Sequence, residues 1–292
     1  EYENRGFPFR DFLLKLILVI IFVVGLNNLK YKNSSNKYVS TALVNPKYKS
    51  EISKITFNNF NLIKKANLWK VEINNNYYPA DNKKINDLIS NLTKVIKLYK
   101  KEYSKNKKVI SRYNNSLLFY TSSEDFQYKE ISSIGFGLTD FTNTKIEVIN
   151  LKNNEVYQTE NIYTEFLNKD YTYFIRKEFF PEEITNNYDT VQKIKIENFI
   201  TNKTNYYTKT TNNNDFFYKK LNQILLLRSE DLQLNLYDNL TQEKPITKVN
   251  LELGNNTSAS FSVYYFNNEY YVKTQENLIF KISQWTMNRI VE

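Results

Sequence analysis

The chain has no cysteine and no histidine in 292 residues, and only five glycines and five prolines. Without Cys there is no disulfide, thiol nucleophile or lipoprotein attachment; without His there is no imidazole base and none of the usual zinc sites. Five glycines cannot write the phosphate-cradling loops of nucleotide-binding proteins. Arginine is scarce as well, with six Arg against 34 Lys. Nucleic-acid sites draw on the planar guanidinium fork, so the net charge of +9 reads as the composition of a Lys-, Asn-, Ile- and Tyr-rich chain, and no specific nucleic acid is expected as a partner.

What is present suffices for a core. The chain is 41% hydrophobic and 16% aromatic, and its length fits one large or two modest domains. One apolar run stands out, "FLLKLILVIIFVVGLNNL" at 12–29, uninterrupted from Leu16 to Leu26. As a helix it would be about 27 Å long, close to the hydrocarbon thickness of a bilayer. The run predicts a membrane anchor carried by Phe12, Leu16, Ile20, Val24 and Leu26, with Lys15 reaching back to the headgroups. A cleaved secretory signal and a buried helix are the alternatives; "NNLKYKNSSNKY" after the run shows no small-residue cleavage pattern. Arg5 and Arg10 precede the run, and Lys30, Lys32 and Lys37 follow it, so charge alone does not orient it. A short tail before a single span favours an outside body.

The expected division is a tail at 1–11, the anchor at 12–29, a polar linker at 30–50, a first unit at 51–190 and a second at 191–292. The two units are read from a repeated phrase, "ISKITFNNF" at 52–60 and "VQKIKIENF" at 191–199. Alternation of Ile55 and Phe57 with polar neighbours predicts a strand, and "LWKVEI", with Trp69, Val71 and Ile73 on one face, predicts its hairpin partner. After "NNNYYPAD", Pro79 fits a strand end and Asp81 a helix cap. Ile85, Leu88, Ile89, Leu92, Val95, Ile96 and Tyr99 then run at helical spacing. "FYKKLNQILLL" in the second unit stands against "DNKKINDLIS" in the first, and "TKIEVINL" (144–151) against "TKVNLEL" (247–253), each followed by an aromatic segment read as a hairpin. The expected fold class is α+β: an N-terminal transmembrane helix, then two related β-β-α-β units with mainly antiparallel sheets and amphipathic helices packed on them, the first unit carrying an insertion at about 100–140.

A search for reactive groups finds little. "SSNK" at 34–37 has an S-x-x-K spacing without its companion motifs, and Glu182 and Glu183 after Pro181 read as a first helical turn. Tyr77, Tyr78, Tyr171, Tyr173, Tyr264, Tyr265, Tyr270 and Tyr271 could stack on sugars or bases, but read better as cross-strand pairs. The densest basic run, "KKEYSKNKK" at 100–108, reads as a solvated loop. No catalytic, cofactor or metal residues are assigned; Trp69, Pro79 and Asp81 are assigned structural roles.

The N-terminal run, Trp69, the sequence Tyr78-Pro79-Ala80-Asp81, "FGL" at 136–138 and "YTYFIR" at 171–176 together resemble a bacterial family catalogued as domain of unknown function 4340. The resemblance spans most of 50–290 and rests on short motifs. It implies an accessory protein of gliding-motility-type ABC transporters, with ATP hydrolysed by another subunit. The second unit lacks the Trp and the Tyr-Pro-Ala-Asp. The expectation is therefore a non-enzymatic, membrane-anchored, extracytoplasmic accessory protein of the bacterial inner membrane, needing no cofactor, with the bilayer and ABC-type subunits as partners. An envelope polyanion- or glycan-binding module is the alternative.

Overall fold

Two antiparallel sheets, of ten and six strands, organise the described residues. The computed structural model describes residues 17–22, 38–101, 113, 115–122, 127–210, 214–254 and 257–292. The first sheet holds β1 (Tyr38–Thr41), β2 (Ile52–Thr56), β3 (Asn61–Lys65), β4 (Leu68–Ile73), β5 (Asn76–Pro79), β6 (Ile96–Lys101), β7 (Asn115–Ser122), β8 (Tyr128–Thr139), β9 (Lys145–Asn150) and β10 (Glu155–Glu160). Their order is β1-β6-β10-β9-β8-β7-β2-β3-β4-β5. The second sheet holds β11 (Val191–Asn198), β12 (Lys203–Thr208), β13 (Thr247–Leu253), β14 (Ser258–Phe266), β15 (Glu269–Thr274) and β16 (Ile279–Ile282). Its order is β12-β11-β13-β14-β15-β16.

Beyond the helical residues 17–22, the α-helices of the described residues are α1 (Asn82–Thr93), α2 (Thr164–Leu167), α3 (Tyr171–Phe174), α4 (Glu182–Asn186), α5 (Asp215–Leu225), α6 (Tyr237–Thr241) and α7 (Gln284–Val291). In α1 the Asp81 carboxylate accepts from the Lys84 N–H at 3.2 Å, satisfying a donor left free by the helix start, and the buried stripe is Ile85, Leu88, Ile89 and Leu92. In α5 the buried face carries Phe217, Leu221 and Ile224.

The six strands of the second sheet repeat six of the first. Read as β3-β2-β7-β8-β9-β10, the middle of the first sheet has the same antiparallel neighbours as β12-β11-β13-β14-β15-β16. Each copy is thus a hairpin, a helix and a four-stranded meander, and this replaces the expected β-β-α-β unit. The repeated phrase falls on β2 and β11, and both copies bulge at its second residue. Ile52 and Lys54 face the consecutive residues Thr121 and Tyr120, leaving Ser53 extra. Val191 and Lys193 face the consecutive residues Leu253 and Glu252, leaving Gln192 extra. A shared bulge against the equivalent partner strand fixes the correspondence between the copies.

Other expectations are corrected by the same pairing. "LWKVEI" is not the hairpin partner of β2, because β3 lies between them, paired to both. "TKIEVINL" lies on β9, two strands beyond the counterpart of β13. The segment 161–176 forms α2 and α3 with connecting turns instead of a hairpin. The first copy differs by gaining β4 and β5 before its helix and β6 after it, whereas β7 and β8 are part of the common meander. Residues 38–50 supply β1, paired with β6, and a single 3-10 turn at Pro46–Tyr48.

Scarcity of glycine shows in the turns. Nine asparagines and Ala66 hold positive φ, and no glycine among the described residues does. Asn reaches the left-handed region at lower cost than other residues with a Cβ. Asn74–Asn75 turns β4 into β5, and Asn267–Asn268 turns β14 into β15. Two of the few glycines, Gly135 and Gly137 on β8, are needed for a different reason. A Cβ on Gly135 would stand 2.6 Å from Ile149, and one on Gly137 2.7 Å from the Tyr113 ring.

Among the described residues no helix is long and apolar enough to cross a membrane, which corrects the expected anchor. Of the run at 12–29 only 17–22 is described, as helix with Ile20 exposed. Phe12, Leu16, Val24 and Leu26 lie outside the described residues. The expected single-pass inner-membrane location, the bilayer and ABC-type partners, and the envelope functions that depended on them therefore have no structural support.

Candidate functional site

The segment joining the copies is built from aromatic plugs separated by charge, "FIRKEFF" at 174–180. Phe174 enters the first core, with ring centroids 5.3 Å from Phe57 and 5.8 Å from Phe60. Phe179 and Phe180 enter the second, 5.3 and 5.2 Å from Phe261. All three are buried, and they belong to one continuous cluster that draws buried apolar residues from both sheets. Backbone pairing reinforces the joint: Asp81 N–H donates to Phe174 O at 2.7 Å and Arg176 N–H to Pro79 O at 3.1 Å, while Glu178 bridges to Arg228 of the second copy.

Polar side chains that cannot enter either core are left beside this joint, where they line a cleft of about 470 Å³. The first copy contributes Asp81, Asn82 and Lys83 from the start of α1; the joint contributes Arg176, Glu178, Glu182, Asn186 and Tyr188; the second copy contributes Asn222, Leu226 and Arg228. Trp69 N–H donates to Asn82 Oδ1 at 3.2 Å, and Asn82 Nδ2 donates to Glu182. Arg228 Nη2 lies 3.5 Å from Glu178, and its Nη1 donates to the carbonyls of Leu225 and Leu227 at the end of α5. Arg176, 7% exposed, pairs with Glu276 on the β15–β16 turn, and its Nε–H finds no acceptor among the described residues. Asp81 is engaged twice, by the Lys84 N–H and by the Lys84 ammonium at 3.3 Å.

Against these paired groups, Lys83 and Asn222 are exposed, and no side-chain hydrogen bond or ion pair occupies either of them among the described residues. They come from α1 and α5, the equivalent helices of the two copies. The cleft therefore offers one ammonium, one amide and the half-exposed Tyr188 ring to a ligand. Among the described residues no group of three acidic side chains could hold a metal ion.

The residues singled out from sequence have definite places. Trp69 is 5% exposed on the buried face of β4, Pro79 is the last residue of β5 and is buried, and Asp81 caps α1. Tyr265 and Tyr270 pair across β14 and β15 with centroids 5.0 Å apart. Tyr264 and Tyr271 are buried with Leu240 and Ile279; burial, and then the Glu269 carboxylate that accepts from its hydroxyl, push Tyr271 up to about 12. Lys100 and Lys101 belong to β6 and pair with Glu155 at 2.8 Å and Glu147 at 2.9 Å; Lys105, Lys107 and Lys108, and "SSNK" at 34–37 except for the stretch's surroundings from 38 onward, lie outside the described residues.

Sequence reading missed Arg176, Arg228, Glu178 and Glu276. Their signal was the rarity of arginine itself: in a chain that otherwise writes Lys, both sit at the joint, where a forked cation can bond several acceptors at once. Compared with known protein families, with curated proteins and with solved structures, the chain matches none.

Proposed function

We propose that the chain is a non-catalytic binding protein that takes a small polar molecule in the cleft between its two copies. The observation that carries this reading is the contrast at the cleft wall. The carboxylates there are bonded to donors of the protein, while Lys83 and Asn222, on equivalent helices, have no side-chain partner among the described residues. A cleft of this volume, lying between two halves of a fold, is the common setting for small-ligand sites. Lys83 would receive a carboxylate or carbonyl oxygen of the ligand, Asn222 would both donate and accept, and Tyr188 would cover an apolar part. Carboxylates already held by donors are poor candidates for proton transfer, which favours binding over turnover.

Kinship with the family named above remains part of this proposal, supported by Trp69 and Tyr78 to Asp81, which lead into the cleft wall; its transporter association is not carried over. A thermal-shift screen of small polar metabolites against the full chain tests the reading. The expected outcome is a stabilising compound whose effect is lost in Lys83→Gln and in Asn222→Ala, and which proton NMR recovers chemically unchanged. A screen without a stabilising compound, or one whose hits ignore both substitutions, sinks the proposal.

A further inference from the structure

The duplication supplies an internal comparison at a second place, the bulged end of each sheet. Lys54 and Lys193 are equivalent residues, each following the bulge of its copy. Across the ladder Lys193 faces Glu252, and its ammonium lies 3.3 Å from that carboxylate and 4.9 Å from the Tyr206 ring centroid. At the equivalent position Lys54 faces Tyr120. Its ammonium lies 5.7 Å from the Tyr120 centroid and 5.0 Å from that of Tyr128. The first copy has a ring where the second has a carboxylate.

A ring holds a cation in place without cancelling its charge. The same device recurs next door, where the Lys65 ammonium sits 3.2 Å from the Tyr77 ring centroid. Lys64 and Lys65 line a concavity of about 490 Å³ with Ser53, Asn67, Ser122 and Tyr128. Among the described residues none of Lys54, Lys64 and Lys65 has an ion pair, whereas Lys70, Lys84, Lys100, Lys101, Lys152 and Lys281 all do. The acidic group that faces this cluster is Glu72, whose two oxygens accept from Tyr77 Oη and Asn61 Nδ2, each at 2.7 Å.

We propose that this end of the first copy binds a small oxyanion, a phosphate or carboxylate group, in the concavity lined by Lys64 and Lys65, with Lys54 beside it over the Tyr128 ring of its wall. Two of the three ammoniums are positioned on tyrosine faces before the ligand arrives, which reduces the ordering cost of binding. The second copy does not share the property, because Glu252 already neutralises its equivalent lysine. No residue of this site lines the cleft between the copies, so the two proposals stand or fall separately.

The experiment is a titration of the full chain with inorganic phosphate and, separately, with acetate, followed by amide NMR shifts. Saturable shifts confined to β2, β3 and the β7–β8 end are expected with at least one anion, and which one responds tells phosphate from carboxylate recognition. Tyr120→Glu installs the partner found in the second copy and should weaken binding by about tenfold. Lys64→Gln with Lys65→Gln should do the same without touching the buried face, which guards against a folding defect in the first variant. Glu252→Gln should leave binding at the first copy unchanged. Failure of both anions to give saturable shifts, or binding by Tyr120→Glu and by the double lysine variant as tight as by the wild type, overturns the proposal.

Discussion

Arg176 and Glu276 bind the joint to the second copy, and the same carboxylate lies 3.8 Å from Lys70 of the first. One acidic side chain thus serves both halves. Glu276→Gln leaves a guanidinium buried without its counter-charge, a loss worth several kcal/mol when both partners are fully buried. The Glu276 side chain is 28% exposed, so the expected destabilisation is smaller, about 2 kcal/mol. Urea unfolding should show it, and adding Arg176→Met should recover part of the loss. A midpoint unchanged by Glu276→Gln would remove this pair from the account of the joint.

Lys220 makes stability depend on alkaline pH. It is 4% exposed, with its ammonium 3.4 Å from Arg289 O and 3.5 Å from Ile290 O at the end of α7. Burial holds its titration below the ordinary 10.5, the neighbouring Arg289 pushes the same way, and Glu292 opposes both. Between the lowered value and 10.5 the folded chain binds fewer protons than the unfolded one, so this group adds stability as pH rises through that window. The tyrosines raised by burial act in the opposite sense above pH 10. The measurement is therefore the difference between wild type and Lys220→Met, which should shift in favour of wild type as pH approaches 10.5; a difference independent of pH contradicts the assignment.

Tyr163 is fully buried against Phe136, 5.5 Å between centroids, and its hydroxyl has no partner among the described residues. Removing an unsatisfied buried hydroxyl while keeping the ring relieves a desolvation cost. Tyr163→Phe should leave the fold intact and raise stability by about 1 kcal/mol, read by thermal or urea unfolding. Destabilisation would mean that the hydroxyl has a partner.

Asn75 turns β4 into β5 at φ 64°. Asn75→Ala should cost about 1 kcal/mol, because an ordinary side chain is strained there, while Asn75→Gly should be neutral or mildly stabilising. Chemical denaturation of the pair checks the order, and Ala tolerated as well as Gly would contradict the turn.

Some of this architecture is written in the sequence and some is not. The stripe and cap of α1 are legible because spacing and a single Asp suffice. The hairpin through β3 is not legible because Leu62 and Ile63 are adjacent and both buried, which breaks the alternation that marks a strand. The frame of the repeat was lost downstream because strands of a meander share one alternating pattern, so β9 resembles β13 in letters without being its counterpart. Only the bulges at Ser53 and Gln192, visible in the pairing register, settle the frame. The cleft was out of reach because its bonds join residues 100 positions apart, as in Asn82 with Glu182 and Arg176 with Glu276. The apolar run at 12–29 was a local pattern, and a local pattern alone does not establish a spanning helix.

The aromatic plugs set an order of events during synthesis. Phe174 leaves the ribosome after β10, when the strands it seals are already available, so the first copy can close at once. Phe179 and Phe180 emerge ahead of the rings they pack against, and Phe261 follows roughly 80 residues later, about 4 to 16 s at ordinary elongation rates. For that interval the nascent chain carries two uncovered phenylalanines on the rim of a finished half. That is where a chaperone would first find purchase, and where a pause in translation would do most harm.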